Sequence, residues 1–480
     1  MPRRSFLPVL PALLLAGCAL GPDFKAPAAP DSERYLAQPE PSSTVAADGR
    51  SQQFERAAQP QAQWWRAFAS PALDALVTRG LARNASLEAA QASLRQSARA
   101  LEAGYGVFYP QLNGAVGATR EKFSPVLFGS SSPGPTFNLF TLSASVGYAL
   151  DVFGGQRRLV EGLAAQQDVQ AAQLAGSTLA LAGNLVNTAI ARAAYGAELE
   201  ETQALLALLR QQVKLAQAQA DAGTAPYGTV LALQAQLAQG EGTLPPLRQK
   251  ADQADHLLAT LSGVLPSQWQ DPPLAFSALT LPGHLPLSLP SELVRRRPDI
   301  QAAEATFHAA GAAVGVATAA QFPSFNLSGA YGQYSTSTGT LLAGNGNFWN
   351  LGVDVAAPLF DGGTLRARRQ AAEETYAQSA ALYRQTVLDA FGQVADVLRA
   401  LEHDAEVLQA ALQAQSAAES SARLLQANEQ AGLASGLQVL AAQVQVRQAN
   451  LAVLQARAVR LQDTTAYFLA LGGGDTPVAR

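Results

Sequence analysis

The chain carries one signature twice. The first copy reads Ala222-Gly223, a gap of six residues, then Val230-Leu231-x-x-Gln234-x-Gln236. The second reads Ala431-Gly432, the same gap, then Val439-Leu440-x-x-Gln443-x-Gln445. Two further pairs keep the same order upstream. Tyr109-Pro110-Gln111-Leu112 answers to Phe322-Pro323-Ser324-Phe325, and Phe153-Gly154-Gly155 to Phe360-Asp361-Gly362-Gly363. The repeat is roughly two hundred residues long, far beyond the ~20–50 residues of a solenoid period. The chain is therefore a tandem duplication of one large unit.

Each copy opens with a helical stretch. In the first it runs from about Pro71 to Leu101, with Ser70 as N-cap and proline at the first helical position. In the second it starts near Ser291 and continues past Pro298 to about Ala320. Two strand candidates joined by a loop follow. Phe325, Leu327, Gly329 and Tyr331 alternate with Asn326, Ser328, Ala330 and Gly332, and Trp349, Leu351, Val353 and Val355 with Asn350, Gly352, Asp354 and Ala356. Leu142, Ala144, Val146, Tyr148 and Leu150 repeat the pattern in the first copy. One apolar face and one small or polar face over about ten residues fits an outer-membrane β-barrel strand. It also fits a soluble sheet with one buried face, and the alternation leaves both open.

Next comes a proline-free stretch, 156–221 in one copy and 364–430 in the other. At 1.5 Å per residue each predicts a helix of roughly 100 Å. After the Ala-Gly turn each copy returns in a second helix, interrupted in the first at Pro245-Pro246. The second return is regular: Leu437, Leu440, Val444, Leu451, Leu454, Ala458, Leu461 and Phe468 keep heptad spacing, with Arg447 and Thr465 as polar exceptions. Such a seam needs partner helices. Four membrane strands cannot close a barrel, and open edges are not tolerated in lipid. Strands of that kind would require oligomers. A homotrimer gives twelve strands around a tube of twelve helices.

The ends and composition narrow the class. Arg3 and Arg4 precede an apolar stretch, Phe6 to Leu15, too short to span a bilayer, as in an export signal. Leu15-Ala16-Gly17-Cys18 then resembles a bacterial lipobox, in which cleavage falls before the cysteine and the cysteine is acylated. Cys18 is the chain's single cysteine, so no intramolecular disulfide can form. Ala19 and Leu20 follow it, which by the lipoprotein resemblance points to the outer membrane. Past Cys18 no apolar run of about eighteen residues is expected to span a membrane. With 33 Lys and Arg against 37 Asp and Glu, no basic patch of nucleic-acid type is evident. His256, His284, His308 and His403 lack metal-ligand spacing, and no catalytic or phosphate-binding motif is found. The acidic pair Glu373-Glu374 lies on a long helix, as a solvated face would. No enzyme activity, cofactor or metal is expected.

Leu293-Val294-Arg295-Arg296-Arg297-Pro298-Asp299-Ile300, with Ala303-Glu304, resembles the signature of outer-membrane efflux lipoproteins of the NodT type, relatives of TolC. Phe322-Pro323, Pro358-Leu359-Phe360-Asp361-Gly362-Gly363 and Ala390-Phe391-x-x-Val394-x-Asp396 fit the same family, as does Gly21-Pro22-Asp23-Phe24 after the lipobox. Taken alone, the arginines read as a solvated run before a helix, with Pro298 at its first position and Asp299 at its positive end. The resemblance implies a mainly α fold with a membrane β-barrel. A homotrimer, four strands per chain, would form a 12-stranded β-barrel, a long α-helical barrel and a mixed equatorial domain. It implies a passive outer-membrane conduit for small-molecule export, docked to a periplasmic adaptor and an inner-membrane pump. Type I protein secretion and a lipid-anchored coiled-coil scaffold are the alternatives.

On this reading the chain divides into a signal peptide 1–17, a lipidated arm 18–70, a first repeat 71–262, an equatorial linker 263–290, a second repeat 291–471 and a tail 472–480. Strands fall near 107–121, 137–151, 322–335 and 348–360, and hairpins near 156–262 and 363–471. The Ala-Gly turns become periplasmic tips, where Asp221, Gly223, Thr224, Thr229, Glu429, Gly432, Leu433 and Gln438 would gate the tube and meet the adaptor. The family's usual acidic positions are here Gln438 and Ala441 in one copy and Thr229 and Ala232 in the other. A tip closed by neutral polar and apolar side chains is expected, with the nearest acids, Asp221 and Glu429, on the incoming helices.

Overall fold

Alternating apolar residues organise the β-structure. In this computed structural model, which describes residues 19–124, 126, 129, 133–270 and 274–474, they form four strands. These are β2 (Gln111–Lys122), β3 (Thr136–Leu150), β5 (Ser324–Ser335) and β6 (Asn347–Ala356). They make one antiparallel sheet in the order β2-β3-β5-β6, two strands from each repeat. The register aligns residues of one kind across all four strands. Leu112, Val146, Gly329 and Leu351 lie in one row, and Gly114, Ala144, Tyr331 and Trp349 in the next. The opposite face carries Asn113, Ser145, Ala330 and Asn350, and beside them Gln111, Gly147, Ser328 and Gly352. Leu112, Val116, Trp349, Leu351, Val353 and Val355 are all exposed. A contiguous apolar face of this size is made for an apolar surrounding. Among the described residues, β2 and β6 each keep one unpaired edge.

Two strand ends differ from expectation. β2 begins at Gln111, not near 107, because Tyr105–Phe108 forms a 3-10 turn. β6 stops at Ala356, short of 360, where Pro358 has no N–H for a ladder.

The helices are α1 (Pro71–Arg83), α2 (Ala85–Gly104), α3 (Gly155–Asp221), α4 (Tyr227–Glu241), α5 (Leu244–Leu261), α6 (Pro290–Arg296), α7 (Pro298–Ala319), α8 (Thr364–Gln430) and α9 (Gly436–Ala470). α3 and α8 are both 67 residues long, the duplication made visible. Ser70 caps α1 through its hydroxyl, which accepts from the Leu73 N–H at 3.3 Å. The stretches read as single opening helices are each broken. Asn84 turns extended between α1 and α2, and its side chain caps α2 by accepting from the Leu87 N–H at 3.1 Å. Arg297 is extended between α6 and α7, since a residue before proline avoids the helical region. The Pro245-Pro246 interruption is a break between α4 and α5 at Gly242-Thr243. The third marker pair is a strand-to-helix elbow. Asp151 accepts from the N–H groups of Gln156 and Arg157, both at 2.9 Å. Asp361 accepts from Leu365 at 2.7 Å and Gly363 at 2.8 Å, and these bonds hold its carboxyl below the usual range.

By length and composition α3 could cross a bilayer, which corrects the expectation that no helix could. Its Leu181, Ala182, Leu185, Val186, Ala189 and Ile190 are buried within the protein, as a core helix requires. α9 also differs from its heptad reading. Val444, Ala458, Leu461, Thr465 and Phe468 are buried, but Leu437, Leu440, Leu451 and Leu454 are only partly so. A second buried row, Val439, Ala442, Val453, Ala456, Arg460, Thr464 and Tyr467, lies beside the first. The helix thus packs through a broad face rather than a narrow seam.

The repeats do not fold as separate bodies. One compact unit gathers Leu94–Val169, Ala303–Tyr383 and the arm as far as Pro27. The other gathers Ala28–Ser93, Gln170–Ala302 and the chain from Arg384 onward. In the second unit the arm is more ordered than its composition suggests. Its β1 (Gln53–Arg56) pairs parallel with β4 (His284–Leu287) of the 263–290 segment. The end of α9 packs there: Phe54 meets Tyr467 edge-on at 5.9 Å, and Trp64 stacks on Phe468 at 5.4 Å.

Candidate functional site

Both hairpin turns are built the same way. Gly223 has φ 71° and Gly432 φ 74°, a conformation that costs any L side chain. In the first, Thr224 N–H donates to Gln219 O and Gly223 N–H to Ala220 O, each at 2.9 Å. In the second, Leu433 N–H donates to Asn428 O at 2.7 Å and Gly432 N–H to Glu429 O at 2.9 Å. These paired bonds are a Schellman closure, which satisfies the last carbonyls of α3 and α8. Thr224 Oγ1 also donates to Gln219 O at 2.9 Å.

Of the remaining tip residues, Asp221 and Gln438 have local side-chain partners. Asp221 accepts from Gln217 Nε2 at 2.8 Å and is exposed. Gln438 belongs to a capping box: its Oε1 accepts from the Ser435 N–H at 2.8 Å, and its own N–H donates to Ser435 Oγ at 3.4 Å. Thr229 holds the equivalent position in α4, where Pro226 offers no side-chain cap. A side chain at Gly436 would meet Glu429 and Leu215 of α3. Leu433 is exposed.

Behind the tips lies a polar knot that heptad reasoning left unexplained. Arg447 Nη1 donates to both carboxylate oxygens of Glu201, at 3.1 and 3.2 Å. Asn450 Nδ2 donates to Glu201 Oε1 at 2.8 Å, and Gln415 Nε2 to Asn450 Oδ1 at 2.8 Å. The knot ties α3, α8 and α9. Arg210–Glu241 and Arg192–Asp255 fasten α3 to α4 and α5, at 2.8 and 2.7 Å. The only sequence signal was Arg447 breaking an apolar heptad.

The three arginines of the basic run part company. Arg295 is exposed and Arg296 half-buried, whereas Arg297 is only 6 % exposed. This corrects the reading of a solvated run. Arg297 Nε and Nη2 form a fork on Asp299, at 3.0 and 2.6 Å. Nη2 also donates to Gln393 Oε1 at 2.8 Å, and Nη1 to the carbonyl of Ala470, the last residue of α9, at 2.9 Å. Pro298 opens α7 and Asp299 sits in its first turn, its Oδ1 accepting from the Ile300 N–H at 3.0 Å. One guanidinium thus joins α7, α8 and the negative end of α9.

In the first unit the start of the arm is clamped. Arg158 donates to Asp23 at 2.6 Å, to Glu161 at 2.8 Å and to the Leu20 carbonyl at 3.1 Å. Phe24 stacks on His308 at 4.1 Å, and His308 Nε2 lies 2.9 Å from Glu161 Oε1. Gly21, φ 96°, sits so close to Gly315 that a side chain there would collide with its backbone. Cys18 lies outside the described residues.

A four-stranded sheet with an apolar outer face, joined to helices of 67 residues with tight tips, defines a subunit of an outer-membrane channel. Its fold is the mainly α, four-strands-per-chain class anticipated. The chain belongs to the outer membrane efflux protein family, which it matches over residues 76–264 and 289–473. It is 30 % identical to the pyoverdine export outer membrane protein OpmQ of Pseudomonas aeruginosa, over 99 % of this chain and 98 % of that one. It is 29 % identical to the toluene efflux pump outer membrane protein TtgC of Pseudomonas putida, over 96 % and 94 %. Nodulation protein T of Rhizobium leguminosarum bv. viciae is 29 % identical, over 97 % and 92 %. Among solved structures, the outer-membrane channel OprN aligns with a TM-score of 0.83 at 27 % identity, covering 95 % of this chain and 99 % of that one. The Campylobacter jejuni CmeC channel has a TM-score of 0.82 at 18 % identity, covering 96 % of each, a likeness of fold alone. The protein is an outer-membrane efflux channel component.

Proposed function

We propose that three copies close into one passive conduit for small-molecule export from the periplasm across the outer membrane. The carrying observation is the sheet with an apolar face and two unpaired edges, β2 and β6. Lipid does not tolerate such edges, and three sheets of four strands make a barrel of twelve. The helical hairpins of the three copies form the periplasmic tube. Energy comes from an inner-membrane pump through a periplasmic adaptor that grips the tips, and no catalysis is assigned to this chain. Relatives named for pyoverdine export and toluene efflux support small molecules as cargo over proteins. Residues 1–17 act as the export signal, and Cys18 carries the lipid. The clamp of residues 20–24 on Arg158 supports this reading, since it would hold an anchor at Cys18 beside the strand-to-helix elbow. Segments 28–70 and 263–290 with the end of α9 form the equatorial domain.

The tips form the gate. The residues beyond each turn glycine include Thr229 and Gln438, and the Glu201 knot holds α9 against α3 behind them. Acidic rings confer cation preference. With neutral residues at these two positions the channel should show weak cation selectivity, and Gln438→Asp with Thr229→Asp should raise it. Reversal potentials in a planar bilayer read this directly; strong cation selectivity in the wild type, lost on substituting Gln438 or Thr229, is the opposing result. For the conduit itself, deletion should sensitise cells to exported compounds, and the adaptor should co-purify with the full-length protein. Unchanged susceptibility across a broad panel, with no adaptor recovered, would refute the efflux role.

A further inference from the structure

The second unit contains a basic cavity of about 370 Å³, remote in sequence from both tips. Phe276, Leu279, Leu281, Leu408 and Leu461 give it apolar walls, while Arg50, Arg457 and Arg460 line it against one carboxylate, Asp48. Arg460 is only 1 % exposed. Its Nε donates to Gln52 Oε1 at 3.2 Å and its Nη2 to Thr44 Oγ1 at 3.0 Å. Gln52 is itself fixed, donating through Nε2 to Thr464 Oγ1 at 3.0 Å. The guanidinium is therefore held still, and its Nη1 is buried with no acceptor among the described residues. Arg457 Nε is buried in the same condition, although Arg457 Nη2 pairs with Asp48 at 2.9 Å. Asp48 is set by a two-residue hairpin, Ala47 to Arg50, with φ positive at Asp48 and Gly49.

Buried cationic donors are costly unless something accepts from them. Of the acids acting on Arg460, Asp48 lines the cavity and Asp404 does not. Burial and Asp463 beside it push the Asp404 carboxyl up to about 7, with Arg460 and His403 opposing. Its Oδ2 also lacks a partner among the described residues. The lining thus carries three arginines against one aspartate, with two unsatisfied guanidinium donors and an apolar remainder. A flat anion on a short apolar body matches that set, because a carboxylate meets guanidinium edges in plane. A cavity of 370 Å³ lies within the size range of small-molecule sites, roughly 300–1,000 Å³. We propose that this cavity binds a small amphipathic carboxylate, its charge facing the guanidinium groups of Arg50, Arg457 and Arg460 and its apolar body resting on Phe276, Leu279 and Leu281.

Benzoate is the probe, titrated into the detergent-purified full-length channel by calorimetry, with benzyl alcohol and acetate as controls. Saturable binding of one benzoate per chain is expected, with both controls weaker by tenfold or more. Arg457→Gln, at a partly exposed position, and Leu281→Phe, which fills the cavity, should each weaken benzoate at least tenfold. Arg460→Met should abolish binding, but the first two variants decide the matter if it fails to fold. Absence of saturable benzoate binding at millimolar concentration, equal binding of benzyl alcohol, or unchanged affinity in both Arg457→Gln and Leu281→Phe would overturn the proposal.

Discussion

Leu351→Arg should cost about 2–4 kcal/mol per chain, the penalty for a cation on the lipid face near the bilayer midplane. Leu351 is 80 % exposed in the row it shares with Leu112, Val146 and Gly329. The loss should be read as a lower yield of folded oligomer and lower resistance to heating in detergent. Asn350→Arg is the matched control. It is the neighbouring residue of β6, on the small and polar face with Asn113, Ser145 and Ala330. It should assemble nearly as well as wild type. Equal damage from both variants would mean that the outward face does not meet lipid.

Arg297→Ala should be as severe, for a different reason. It removes a fork on Asp299, a bond to Gln393 and the bond to the Ala470 carbonyl together. Charged hydrogen bonds are worth roughly 1.5–3 kcal/mol each, but Asp299 is partly exposed and water replaces some of the loss, so about 2–4 kcal/mol is expected. Arg297→Lys should recover little, because an ammonium cannot form the fork and reach α9 as well. Arg295→Ala, at an exposed site, should stay within about 0.5 kcal/mol of wild type. Thermal unfolding of the three variants separates them. An Arg297→Ala protein as stable as Arg295→Ala would refute the role of this side chain in joining α7, α8 and α9.

Much of this was legible in the chain. The repeated markers fall at three recurring structures: the strand start, the strand-to-helix elbow and the helical tip. Each needs a residue with special backbone freedom or capping chemistry, so each leaves a local trace. Long-range placement left none. Pro298 and Asp299 mark Arg297 locally, but its burial left no trace, because its other partners Gln393 and Ala470 lie far along the chain. The split at Asn84 depends on Leu261, whose carbonyl accepts from the Asn84 side chain at 3.0 Å. Gln438 marked a missing acid when read from sequence; in the structure it completes a capping box with Ser435. Burial of Arg460 was invisible because Thr44 and Gln52 reach it from the far end of the chain.

Single-channel recording of the purified full-length protein in a planar bilayer bears most directly on the central claim. Three copies joined edge to edge should give stable, discrete ion conductance without any energy source. A correctly folded protein that inserts no conductance, and that stays in solution without detergent once Cys18 is replaced, would contradict the conduit and leave a lipid-anchored helical scaffold.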